Sequence, residues 1–194
     1  RALALAEKRR IGRRAAAMIP NGCSVMLNIG TTIEQAAHAL RDHRDLIVIT
    51  NNINLVEIFS GSPGKEIVLT GGVVRQADGA IVGAEAVEFI RKFKVDFAVI
   101  GASALDPDGS ILDFDIREVA VARAILGNAR RRILVCDSGK FERSASVRIC
   151  GLEEIDAFVT DAPPPPSFAE ACARAGVSLE IADESGEGEP SDDG

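Results

Sequence analysis

Asn28-Ile29-Gly30-Thr31-Thr32 follows the apolar run Ser24 to Leu27, and an Ala-rich helical pattern from Ile33 to Leu40 comes directly after it. This is a strand running into a helix N-terminus. Unpaired backbone N–H groups and the positive end of the helix dipole can hold a phosphate or carboxylate there without a basic side chain. Gly30 permits close approach, and the hydroxyls of Thr31 and Thr32 can donate to the same oxygens. Thr31 and Glu34 also have the spacing of a capping box, so an anion site and a plain helix cap stand side by side at this point.

Three other strand ends carry the same kind of chemistry: Thr50-Asn51-Asn52, Gly101-Ala102-Ser103 and Asp137-Ser138-Gly139-Lys140. Asp115 and Glu118 lie where a helix begins and have the spacing of an N-cap and its partner. Each has an ordinary structural reading, such as turn formation for Asn51 and Asn52 or solvation for Lys140. If the strands are parallel, however, all four ends share one edge, where α/β proteins bind ligands. Backbone amides, threonines and Lys140 suit a phosphate, and Asn, Asp and Glu side chains suit hydroxyls. A small phosphorylated sugar or polyol fits this inventory.

No G-x-G-x-x-G opens a helix and no G-x-x-x-x-G-K-[ST] occurs, so no nucleotide cofactor is expected. His38 and His43 flank a helix end, away from the strand ends, and are expected at the surface. Cys23, Cys136, Cys150 and Cys172 are widely spaced, without a C-x-x-C or an accompanying His cluster. They read as small core residues in a reducing compartment, and no metal site is expected.

Apolar strand-like runs alternate with helical stretches from Ser24 onward. Strands are expected at 24–28, 46–50, 66–70, 80–82, 95–100, 132–136, 147–150, 157–160 and 177–181, with an edge strand near 110–112. Helices are expected at 2–19, 32–41, 53–60, 84–93, 116–129 and 168–174. The strands are continuously apolar, as strands buried on both faces of a parallel sheet are. The fold class is therefore α/β, an open, mostly parallel sheet with helices on both faces. Pro163 to Pro166 reads as a stiff connector that is neither helix nor central strand.

The chain has 194 residues and a formal charge of −7, but six acids lie in the stretch from Asp183 to Gly194, so the body is nearly neutral. Neutrality, with no Trp or Tyr and only eight Phe, argues against a large nucleic-acid footprint in this chain. Arg1, Lys8, Arg9, Arg10, Arg13 and Arg14 against Glu7 read as a solvated helix face rather than a DNA contact. There is no signal peptide and no run apolar enough to span a membrane, so a cytoplasmic protein without membrane contact is expected. The chain opens in mid-helix on Arg1, which predicts that something upstream has been removed.

Glu7-Lys8-Arg9-Arg10-Ile11-Gly12, the Asn28 to Thr32 turn, Thr50-Asn51-Asn52, Leu69-Thr70-Gly71-Gly72, Gly83, Gly101-Ala102-Ser103, Glu118 and Asp137 to Phe141 succeed one another in a telling order. The order resembles the C-terminal effector domain of DeoR-family transcriptional regulators, over residues from about 5 to 182. Within that family, the segment Asp106 to Glu118 looks most like the glycerol-3-phosphate-responsive repressors. The resemblance implies a fold similar to ribose-5-phosphate isomerase and the glucosamine-phosphate deaminases. It implies a sensor of a phosphorylated sugar or polyol, acting on DNA only through a winged helix-turn-helix absent from this chain, as a homodimer or homotetramer. Residues 1–20 would then be a linker helix, 21–182 the sensing domain and 183–194 an acidic disordered tail. The ligand would be held by Asn28, Gly30, Thr31, Thr32, Asn51, Asn52, Gly101, Ser103, Asp115, Glu118 and Lys140. The family turn usually opens with Asp where this chain has Asn28, an amide that can donate as well as accept.

The rival reading is a sugar-phosphate isomerase on the same fold, with Glu118 as its base. Ribose-5-phosphate isomerases carry an Asp-Gly-Ala-Asp-Glu type segment where this chain reads Gly101 to Leu105, without carboxylates. A lone glutamate is a poor catalytic set, which favours a sensor over an enzyme. A purely structural or assembly domain would leave four polar strand ends unexplained.

Overall fold

Ser24–Leu27 (β1) sits at the centre of the molecule because its side chains are buried on both sides: Val25 and Leu27 enter one core and Met26 the other. The computed structural model describes residues 2–186. The chain begins with α1 (Ala2–Ala17), β1, α2 (Thr31–Leu40), β2 (Leu46–Thr50), α3 (Asn54–Ile58) and β3 (Lys65–Leu69). It continues with β4 (Val73–Arg75), β5 (Ala80–Val82), α4 (Ala84–Ile90), β6 (Val95–Ile100), β7 (Ala104–Leu105) and β8 (Ile111–Asp113). The rest is α5 (Ile116–Gly127), β9 (Ala129–Val135), β10 (Val147–Cys150), β11 (Ala157–Thr160), α6 (Pro166–Ala175) and β12 (Ser178–Ile181).

Seven strands form one sheet in the order β12-β11-β9-β6-β1-β2-β3, with every pairing parallel. α1 and α2 cover one face through Ile11, Ala15, Ile33 and Leu40, and α4, α5 and α6 cover the other through Ile90, Val121, Ile125 and Phe168. This is the expected α/β architecture with helices on both faces. The helix expected as a linker is also a wall of the core, since Ile11, Ala15, Ala16 and Ile19 are all buried. α1 crosses α2 closely at Gly12, where a Cβ would stand 2.6 Å from the Gln35 carbonyl carbon.

Several local readings are corrected. β10 is not in the main sheet but pairs antiparallel with β8, which pairs in turn with β7, in a small three-stranded sheet. β4, unforeseen, forms a hairpin with β5. Pro166 is not part of the connector but the first residue of α6, where its missing N–H costs nothing and its fixed φ suits the helix. His43 is also not a plain surface residue: its Nε2 lies 3.0 Å from the Ala16 carbonyl and 2.7 Å from that of Ile19, at the end of α1. Of the tail expected to be disordered, Glu184–Gly186 forms a short 3-10 turn, and 187–194 lie outside the described residues. Among the described residues no helix is long and apolar enough to cross a membrane.

Candidate functional site

From β1 the chain moves outward to β2 and β3, then returns across β1 to β6 and onward to β9, β11 and β12. β1 and β6 therefore flank the point where the strand order reverses. The loops leaving them run in opposite directions and open a crevice at the carboxyl edge. A cavity of about 360 Å³ lies there, with Gly30, Thr31, Thr32, Gly101, Ser103, Asp115, Glu118 and Lys140 in its walls.

The first wall is the start of α2. Gly30 is its N-cap, with φ of 122°, a backbone conformation that glycine adopts readily and residues with a Cβ rarely do. No side chain caps this helix, so its first amides are left for an outside acceptor. The capping box read for Thr31 and Glu34 does not form. Thr31 Oγ1 accepts from Lys8 Nζ at 2.9 Å, and Glu34 Oε1 accepts from Asn54 Nδ2 at 2.8 Å.

Lys140 belongs to the 3-10 turn Ser138–Glu142 that comes after β9. Asp137 opens the turn by accepting from Gly139 N at 3.1 Å, and Asp161 accepts from Ser138 N at 2.6 Å and from Ser138 Oγ at 3.0 Å. Phe141 then fastens it to the core, edge-on to Phe168 with ring centroids 4.8 Å apart. The Lys140 ammonium, 3.9 Å from Asp137 Oδ1, is thus held on a braced turn beside the α2 amides.

A further part of the lining is ionic. Arg75, on β4, donates to Asp78 at 3.0 and 2.5 Å, to Asp115 at 3.0 Å and to Glu118 at 2.6 Å. Asp115 is the expected N-cap of α5, accepting from Arg117 N at 2.8 Å. Glu118 is turned to Arg75 rather than serving as a plain capping partner. Ser103 Oγ donates to Asp113 Oδ1 at 2.8 Å. Burial, with the Asp113 carboxylate beside it, pushes the Glu118 carboxyl up to about 7 against the pull of Arg75. Asp115, hydrogen-bonded first by Arg117 and also by Arg75, is held down at about 2. The Arg75 guanidinium, bound first by Asp78 and then by Glu118, stays charged.

Three of the expected ligand residues do not reach the cavity. Asn28 is buried and its Oδ1 accepts from Gly101 N at 3.0 Å, tying the end of β1 to the end of β6. Asn51 donates from Nδ2 to the Ile81 carbonyl at 3.1 Å and accepts at its own carbonyl from Ile81 N at 2.7 Å. Asn52 Oδ1 accepts from Asn54 N at 3.1 Å. These side chains brace the β4–β5 hairpin and the strand ends, so they position the site without lining it. Arg75, Asp78 and Asp113 line the cavity and are not among the expected residues. Arg75 is hard to read from the chain because, apart from Asp78 three residues on, its partners Asp115 and Glu118 lie 40 and 43 residues further along. Asp113 stands two residues before an expected helix cap, and that proximity is the one signal that points to it.

Among the described residues no group of His, Cys, Asp and Glu could hold a metal ion. The four cysteines are free; Cys136, Cys150 and Cys172 are buried, and burial pushes the Cys136 and Cys150 thiols up to about 12, away from reactivity.

Residues 4–162 match the family described as the DeoR C terminal sensor domain. The glycerol-3-phosphate regulon repressor of Escherichia coli (strain K12) is 42% identical over 175 residues, which cover 90% of this chain and 69% of that protein. Among solved structures, eIF2B beta from Chaetomium thermophilum superposes with a TM-score of 0.54 at 15% identity, over 78% of this chain and 47% of that one. Ribose 5-phosphate isomerase A from Neisseria gonorrhoeae gives a TM-score of 0.48 at 12% identity, over 69% of this chain and 52% of that one. The chain thus spans about half the length of the solved structures it matches.

Proposed function

We propose, since this chain belongs to the DeoR C terminal sensor domain family, that its cavity binds a small phosphorylated polyol such as glycerol 3-phosphate as the effector of a transcriptional repressor. The observation that carries this reading is the division of one cavity into two chemistries. At one end are the uncapped amides of α2 with Thr31, Thr32 and Lys140, suited to a phosphate. At the other are Ser103, Asp113, Asp115 and Glu118 with Arg75, suited to hydroxyls. The similar protein of Escherichia coli is named for the glycerol-3-phosphate regulon, and a three-carbon phosphate fits within a cavity of about 360 Å³ with room to spare.

The phosphate docks on the amides after Gly30, and hydroxyls replace water on the carboxylates of the ionic lining. Binding draws the β4–β5 hairpin, which carries Arg75, toward α2 and the 3-10 turn of Lys140. DNA is contacted through a winged helix-turn-helix outside this chain, and the protein works as a homodimer or homotetramer. Exposed Val73, Val74, Phe114 and Ile116 near the cavity offer apolar surface for a second copy.

A sensor releases its ligand unchanged, whereas an isomerase converts it. Glu118 titrates near neutrality, as a carbon-acid base would, but Arg75 at 2.6 Å occupies its carboxylate. Calorimetry against sugar and polyol phosphates, each paired with its dephosphorylated form, tests the reading, with product analysis afterwards. Saturable, phosphate-dependent binding without product is the expected result. Turnover would make this an enzyme, and binding of none of the panel would remove the effector assignment.

A further inference from the structure

We propose that Lys8, on α1, is a ligand of the effector's phosphate, so that α1 is drawn onto the occupied cavity. The inference rests on the effector reading above and adds to it the element that senses occupancy.

Lys8 Nζ donates to Thr31 Oγ1 at 2.9 Å. An ammonium has donors only, so the hydroxyl oxygen accepts from Lys8 and its own proton is left to donate elsewhere. Thr31 lines the cavity, so a phosphate oxygen that accepts from this hydroxyl is separated from the Lys8 ammonium by that one shared group. Lys8 therefore prepares Thr31 as a donor and stands one hydrogen bond from the anion.

Charge leads to the same residue. The cavity walls hold Arg75 and Lys140 against Asp78, Asp113, Asp115 and Glu118. Arg75 is engaged by three of these carboxylates, and Lys140 has Asp137 at 3.9 Å. A dianionic phosphate placed on the α2 amides calls for more positive charge than this lining supplies, and Lys8 brings it from outside the sheet edge. Glu7 supports the placement. Its carboxyl is pushed up by burial and by the carboxylates of Asp161 and Asp137, which puts this part of α1 beside the turn that carries Lys140.

The remainder of α1 is anchored elsewhere. Arg10 Nε donates to the Ala182 carbonyl at 3.2 Å, Arg14 pairs with Glu180, and the carbonyls of Ala16 and Ile19 meet His43. At Gly12 the helix backbone rests against that of α2. Lys8 thus lies two residues before Arg10, the first of these anchors, and a pull on it acts on the end of α1 nearest the chain's first residue. The effect on DNA affinity is bounded by the difference in ligand affinity between the two helix positions.

The test is calorimetry of the 194-residue chain with glycerol 3-phosphate and, separately, inorganic phosphate, for the unaltered protein, Lys8→Met and Lys8→Arg. Thermal unfolding verifies that each variant is folded, and hydrogen exchange tracks the amides of α1. The expected result is a loss of about tenfold or more in affinity for both probes in Lys8→Met, with Lys8→Arg within about threefold of the unaltered chain. Glycerol 3-phosphate should also slow exchange in α1, except in Lys8→Met. Equal binding by Lys8→Met and the unaltered chain would overturn the role of Lys8 and leave the effector site standing. Failure of the unaltered chain to bind either probe would overturn the effector reading itself, and this inference with it.

Discussion

Arg75 Nη2 lies 2.6 Å from Glu118 Oε2, and this contact joins the β4–β5 hairpin to the first turn of α5 in the lining of the cavity. The same guanidinium holds Asp78 and Asp115, so one cation organises three carboxylates on two elements that are remote in sequence.

Replacing Arg75 with Met should leave these acids crowded without their counter-charge. Breaking a buried ion pair costs about 3–5 kcal/mol, and the partial exposure of Arg75 reduces this to an expected loss of roughly 2 kcal/mol. Urea unfolding of the variant at pH 7.5 measures it. A midpoint unchanged from that of the parent would show that the network is decoration.

The Glu118 carboxyl, raised from 4.5 to about 7, holds its proton in the folded chain at pH values where the unfolded chain has lost it. The folded state then binds more protons, so stability falls as pH rises between about 4.5 and 7 and levels off above. Asp115, held at about 2, and Asp78, lowered first by Arg75, act in the opposite sense but only below the ordinary carboxylate range. Melting temperatures of the parent and of Glu118→Gln between pH 5 and 8 check this. The parent should lose stability from pH 5 to about 7 and then level off, and the variant should be flatter, whereas parallel curves would assign the slope to another group.

Thr31→Val and Lys140→Ala each remove a donor at the phosphate end of the cavity, and each should weaken glycerol 3-phosphate binding by about tenfold or more. Asn51→Ala removes a brace that does not touch the cavity. It should reduce thermal stability while changing affinity by less than about threefold. Unchanged affinity in both Thr31→Val and Lys140→Ala would remove the site assignment.

Gly12→Ala would place a methyl 2.6 Å from the Gln35 carbonyl carbon and 2.7 Å from Ala36 N, backbone that has no flexible end to move aside. The two helices must separate, at an expected cost of about 1–3 kcal/mol. A melting temperature equal to that of the parent would show that α1 already rides free of α2. Separation should also take Lys8 away from Thr31, so glycerol 3-phosphate affinity in the same variant is expected to fall.

The parallel strands were legible because a strand buried on both faces tolerates little polar alternation: Val25, Met26 and Leu27 read as a strand, whichever core each enters. β10 was legible as a strand, but its partner was not. Val147 to Cys150 carries Arg148 in an otherwise apolar run, which marks a strand but not its neighbour, and the packing of β8 beside it decides where it pairs. The polar strand ends were legible as a group. The role of each member was less so, because Asn28 and Asn51 spend their amides on Gly101 N and the Ile81 carbonyl, partners at long sequence separation.

By itself the sequence determined the alternation of strands and helices, the glycine turn into α2 and the clustering of polar residues at strand ends. These arise from local backbone preferences and from the period of burial, which act over a few residues. Only the tertiary structure decided that the strand order reverses between β1 and β6, that Arg75 reaches Glu118, and that Lys8 meets Thr31. Those are encounters between groups 23 and 43 residues apart, or between whole strands, set by how two apolar cores close around one sheet. No short-range pattern in the chain encodes them.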